Sequence, residues 1–211
     1  MYILLERSNK MLNLLGIVGT NSDHSTNRRL LQFIQKHFAD QANIEIFEIK
    51  DLPAFNKPKD RKGPVEVQQL ADKIIAADGV IISTPEYNHS VPAILKSTLE
   101  WLSYTTQPLI DKPVMITGAS YGKLGSSRAQ SHLRQILDAP ELKARIMPSS
   151  EFLVGYSLQA FDENGHLNDA NKIEELEGIF HDFIQFVEIT NQLVSKNHSY
   201  KKVQRFSWED N

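Results

Sequence analysis

The chain has no cysteine among its 211 residues. That absence excludes disulfides, cysteine-ligated zinc, iron–sulfur clusters and any thiolate nucleophile. It fits a reducing compartment, and the expected location is the cytoplasm. Long hydrophobic runs are also missing. None approaches the roughly 20 apolar residues that span a bilayer as a helix, and Met1–Lys10 lacks the apolar core of a signal peptide. Neither sign of charge is in excess. With 23 Lys and Arg against 26 Asp and Glu the formal net charge is −3, which points to neither nucleic acid nor a membrane as partner. The histidines show no His-x-x-x-His spacing, and none is assigned to a metal.

What is present is ordinary for a soluble globular protein, with 41% apolar and 23% charged residues and length for one domain with an ample core. Strand and helix patterns alternate along the chain. Leu12 to Val18 reads as the first strand and Gly79 to Ser83 as the third; Gly79 to Ile82 is a short continuous apolar run, the pattern of a strand buried on both faces. Ile44 to Ile49 alternates apolar with acidic residues, as a strand nearer an edge does. Pro113 to Ala119 and Arg145 to Val154 supply the fourth and fifth strands. Helices are predicted over Thr26–Phe38, Val65–Ala77, Pro92–Leu102, Ser126–Leu137 and Ala170–Val194. On the last of these, Ile173, Leu176, Ile179, Phe180, Phe183, Phe186 and Val187 form a core-facing stripe. The alternation predicts a parallel sheet with right-handed crossovers. Five strands in this pattern suggest an α/β, three-layer flavodoxin-like sandwich of strand order 2-1-3-4-5 with helices on both faces. Residues 12–194 then form the domain. An N-terminal extension (1–11) and a polar tail (195–211), with isolated Phe206 and Trp208, are expected to be mobile or docked on a partner subunit.

Three loops follow the carboxyl ends of strands, where open α/β sheets bind ligands. The first, Gly19 to Arg28, leads into a helix whose free N–H groups and positive dipole end suit a phosphate. Thr20, Ser22, Ser25, Thr26 and Asn27 add side-chain donors there; plain helix capping by Ser25 or Thr26 is the alternative. In the second, Pro85 ends the strand ladder and Pro92 opens the next helix. Between them, backbone groups from Pro85 to Asn88 can bond the polar edge of a planar ring, and Tyr87 can pack beside it. Asn88 tolerates unusual turn dihedrals, and Glu86 can bond to the backbone or reach a second subunit. The third, Gly118 to Ser126, carries glycines that allow close backbone approach, with Ser120, Gly122 and Lys123 at its centre. Leu52 to Asn56 offers Phe55 either to a substrate mouth or to the core edge. Trp101 and Tyr104 suit either a subunit interface or ordinary packing.

Taken together, the three loops resemble those of the NAD(P)H-dependent FMN reductases. That family often reads T-P-E-Y-N where this chain has Thr84 to Asn88, and G-S-x-R-x-x-S-x-N-R where Gly19, Ser25, Asn27 and Arg28 fit and Thr20 replaces a serine. Ser22 stands where arginine is frequent, which removes a phosphate or dinucleotide contact, and His89 stands where glycine is frequent. The Gly-rich third loop is followed, as in the family, by segments like Arg128-Ala129-Gln130 and Leu133-Arg134. The resemblance spans roughly residues 12–194. It implies bound FMN, held by Thr20, Ser22, Ser25, Asn27, Pro85, Glu86, Tyr87, Asn88, Ser120, Gly122 and Lys123. It further implies NADPH or NADH as hydride donor, and a flavin, quinone, azo compound or similar small molecule as acceptor. It also implies a homodimer or dimer of dimers, and no catalytic side chain, because the cofactor carries the chemistry. A flavodoxin-type electron carrier is the alternative. The low-molecular-weight tyrosine phosphatases share a similar architecture but require a nucleophilic cysteine.

Overall fold

The computed structural model describes residues 11–196. The expectations for the N-terminal extension and for residues 197–211 lie outside the described residues. The elements run β1 (Leu12–Val18), α1 (Thr26–His37), β2 (Ala42–Glu48), α2 (Val65–Ala76), β3 (Gly79–Ser83), α3 (Ala93–Tyr104), β4 (Pro113–Ala119), α4 (Ser127–Leu137), β5 (Arg145–Ile146), β6 (Phe152–Val154) and α5 (Ala170–Lys196). All strand pairs are parallel. The order is β2-β1-β3-β4-β5, with β6 also paired to β4. This is the flavodoxin-like 2-1-3-4-5 order anticipated from the pattern of elements.

The continuous apolar strands are explained by burial on both faces. In β3, Val80 and Ile82 enter one core with Leu70 of α2, Leu99 of α3 and Leu133 of α4. Ile81 enters the other with Ile34 of α1 and Phe180 of α5. Phe180 stacks on Phe38 with ring centroids 3.8 Å apart, and Leu176, Phe183 and Val187 complete the core-facing stripe of α5. Each fully buried Leu, Ile or Phe contributes about 1.5–3 kcal/mol relative to exposure. Two such cores clamp the sheet, so the loops at its carboxyl end sit on a rigid base. No helix among the described residues is long and apolar enough to cross a membrane.

The fifth strand differs from the continuous run expected over Arg145–Val154. It is split into β5 and β6, each pairing with β4. Between them Pro148 has no N–H to donate, and Ser149 adopts a left-handed φ of 56°. The interruption is stabilised from α4: Arg134 donates through its Nη atoms to the carbonyls of Met147 and Ser150.

Candidate functional site

The loops after β1, β3 and β4 meet at the carboxyl end of the sheet around a cleft of about 460 Å³. Thr20, Ser22, Ser25 and Asn27 line it from the first loop, Pro85, Glu86 and Tyr87 from the second, and Ser120, Gly122 and Lys123 from the third. Asn88 is exposed and stands outside that lining, at the tip of the second loop. The chain leaving β3 and the start of α4 both press on Gly118 beneath the cleft, where a Cβ would collide with the Ser126 hydroxyl and the carbonyl oxygen of Thr84.

The first loop is built around α1. Ser25 is its N-cap, and Arg28 N–H donates to the Ser25 hydroxyl at 3.1 Å. Capping and ligand binding coexist here, since the first amides of any helix keep unsatisfied N–H groups. Thr20 shares a 3.3 Å hydrogen bond with the hydroxyl of Tyr87, and its oxygen accepts from the N–H of Ser22. The first two loops are thereby stitched across the cleft floor. Asn27 acts mainly as a rivet. Its amide donates to the carbonyl of Ala119 at 2.8 Å, and its oxygen accepts from Ala119 N–H and from the Ser83 hydroxyl, both at 2.9 Å. Thr26 and Ser157 hydroxyls are 2.9 Å apart and buried, tying the start of α1 to the chain after β6. The carboxylate of Asp23 is turned out to solvent, 3.6 Å from Lys50.

The second loop is a tight hairpin. Tyr87 and Ser90 exchange both backbone hydrogen bonds at 3.0 Å. Asn88 and His89 between them take φ of 50° and 64°, the positive values of a mirror-image two-residue turn. Two residues one turn apart on α4 hold this hairpin. Arg128 donates to the Glu86 carboxylate from its backbone N–H and its guanidinium, each at 3.0 Å. The hydroxyl of Ser90 lies 2.7 Å from Nδ1 of His132. Glu86 thus caps α4, whose own N-cap Ser126 is left-handed and makes no side-chain cap. Tyr87 remains 48% exposed, with its ring free to cover a flat ligand.

The third loop contributes Tyr121 and Leu124 to the lining, and the first adds His24. None of the three stood out in the sequence, because each lies inside a loop whose other residues carried the pattern. Phe55, by contrast, lies away from the cleft. It packs edge-on against Trp101 and Tyr104, with centroids 5.0 and 5.4 Å away. Trp101 is 2% exposed and donates its indole N–H to the carbonyl of Pro53, so it belongs to the core.

This donor set fits FMN. The lining combines hydroxyls and helix-start amides with a flat exposed aromatic and open backbone, and the volume falls within the roughly 300–1,000 Å³ of small-molecule sites. Comparison with known proteins agrees. Residues 12–159 match the family described as NADPH-dependent FMN reductase. A Vibrio ruber protein named NADH:(hydroxy)cinnamate reductase subunit CrdA is 59% identical over 94% of this chain and 98% of its own length. NADH-dependent flavin reductase subunit 2 of Lactobacillus johnsonii is 44% identical over 84% of this chain and 98% of its own. The flavoenzyme NAD(P)H:(acceptor) oxidoreductase FerB of Paracoccus denitrificans superposes with a TM-score of 0.74 at 26% identity, covering 85% of this chain and 99% of that one. The chain belongs to the NADPH-dependent FMN reductase family and is an oxidoreductase that works with FMN and a nicotinamide donor.

Proposed function

We propose that FMN lies in the cleft between the three loops and that NADH is the preferred donor, with electrons passing to a small-molecule acceptor. The convergence of all three loops on one cleft is the observation that carries this reading. Thr20, Ser22 and Ser25, with the first amides of α1, would hold the phosphate. Backbone groups near Pro85, Ser120 and Gly122 would meet the polar edge of the ring, and Tyr87 would cover part of it. Asn27 serves by fixing the loop that the phosphate meets, and Glu86 by fixing the hairpin. When bound, the flavin supplies hydride acceptance from nicotinamide and delivery of electrons to the acceptor. The protein's part is to orient, to shield the ring from water and to leave one approach open.

The preference for NADH is supported by the names of the two relatives above and by Ser22, where an arginine would add a phosphate contact. Exposed Tyr87, Tyr121, Leu124, Tyr156 and Leu158 ring the cleft end of the molecule, which supports a homodimer packed near the flavin. The chain is taken to work in the cytoplasm as one domain over residues 12–194. A second reading is that the acceptor is a partner protein, supported by the word subunit in both relatives' names. Steady-state NADH oxidation with free flavin or benzoquinone, and no added reductase, separates the readings. Sustained turnover is expected. Reduction of bound flavin without turnover would favour a partner protein. No NADH oxidation at all would favour a flavodoxin-type carrier.

A further inference from the structure

We propose that Arg28 and Glu48 are a positioning pair that stands behind the phosphate loop and turns the backbone N–H groups of Asp23 and His24 toward a bound phosphate ester. The inference rests on the flavin reading above and extends it to residues outside the cleft lining. Glu48 ends β2 and receives Arg28 as a fork, Nε to Oε1 at 2.5 Å and Nη2 to Oε2 at 2.8 Å. The remaining nitrogen, Nη1, donates to the carbonyls of Ser22 at 3.1 Å and Asp23 at 3.0 Å. Both carbonyls therefore face the guanidinium. In a trans peptide the C=O and the following N–H point in opposite directions, and no peptide here is cis among the described residues. The N–H groups of Asp23 and His24 must then point away from Arg28. Ser22 and His24, the neighbours of Asp23 on either side, line the cleft, whereas Arg28 does not. Two successive amides sharing a direction make an anion-binding concavity, and the start of α1 lies directly after it.

The guanidinium is not itself free for the phosphate. Its charge is matched by Glu48, whose hydrogen bond and proximity raise the Arg28 pKa further above its ordinary value. The one carboxylate on the loop, Asp23, leans away toward Lys50. The pair thus converts a fixed arginine into oriented backbone dipoles, and it links the end of β2 to a site otherwise built on β1, β3 and β4.

The test is flavin binding rather than turnover. FMN and riboflavin, which differ by the phosphate alone, are titrated by fluorescence into wild type, R28K and E48A. Lysine keeps the charge but cannot reach Glu48 and both carbonyls in one plane. Both variants are expected to weaken FMN by roughly tenfold, with riboflavin affinity unchanged. A parallel loss of both flavins would overturn the proposal, because it would mark general loosening of the fold. Tighter FMN binding in E48A would also overturn it, since a freed Arg28 would then be acting as a direct phosphate ligand. Unchanged FMN affinity would do the same. Failure of wild type to hold FMN would instead sink the flavin reading itself, and this inference with it.

Discussion

Two aromatic loops leave the sheet at the same end and have opposite fates. The hairpin at Tyr87 is fastened through its backbone and its polar neighbours, Glu86 to Arg128 and Ser90 to His132, while the tyrosine ring stays 48% exposed. The loop from Leu52 to Pro64 is fastened through its aromatic ring as well as its backbone. Phe55 sits against Trp101 and Tyr104, its N–H donates to Ser97, and Pro53 accepts from the indole. The difference teaches how to separate ligand-facing from structural aromatics. Both loops have polar anchors; the ring packed against other rings, as Phe55 is, serves the fold, whereas the ring left half exposed, as Tyr87 is beyond its hydroxyl's bond to Thr20, is available to a ligand.

The comparison breaks most sharply at Trp101. Trp101→Ala removes a buried ring and orphans the Pro53 carbonyl, so thermal or urea unfolding should show a loss of about 3–5 kcal/mol, with FMN affinity kept in whatever protein remains folded. Tyr87→Ala should do the reverse. FMN should bind more weakly by about 1 kcal/mol, several-fold in Kd, while unfolding stability stays within about 0.5 kcal/mol of wild type. Equal effects on both quantities in either variant would erase the distinction. His89→Gly sharpens it within the hairpin. The left-handed φ of 64° costs histidine what glycine does not feel, so urea denaturation should show stability unchanged or higher by up to about 1 kcal/mol.

The smallest effect belongs to the turn at Asp162. Its carboxylate accepts the N–H groups of His166 and Asn164, each at 2.8 Å, which holds its pKa below the usual carboxylate value. A depressed folded pKa gives stability that is present above the unfolded pKa of about 3.9 and fades as pH falls through the folded value. Any advantage of wild type over Asp162→Asn should therefore shrink below about pH 4 in acid unfolding curves. An advantage that grows on acidification would contradict the assignment.

Much of this was legible in the sequence because it is local. β1, β3 and β4 end where largely apolar segments meet Gly, Thr-Pro or Gly-Ala-Ser, and the structure places those ends at the same residues. The three loops announced themselves by position after strands. What was not legible depends on distant partners. Arg28 matched a motif, yet its role depends on Glu48, 20 residues away. Asn27 looked like a donor for ligand, but its amide is engaged by Ser83 and Ala119. The split of the last strand needed Arg134 to receive the carbonyls that leave the ladder, and an apolar pattern read through Pro148 does not reveal it.

The central claim is that the three loops form one flavin site served by a nicotinamide donor. The most direct measurement is the absorption spectrum of the purified chain after FMN is added and excess removed, followed by anaerobic NADH and, separately, NADPH. The account predicts a retained flavin band that bleaches with NADH at lower concentration than with NADPH. A chain that retains no flavin, or a retained band that neither nucleotide bleaches, would contradict it.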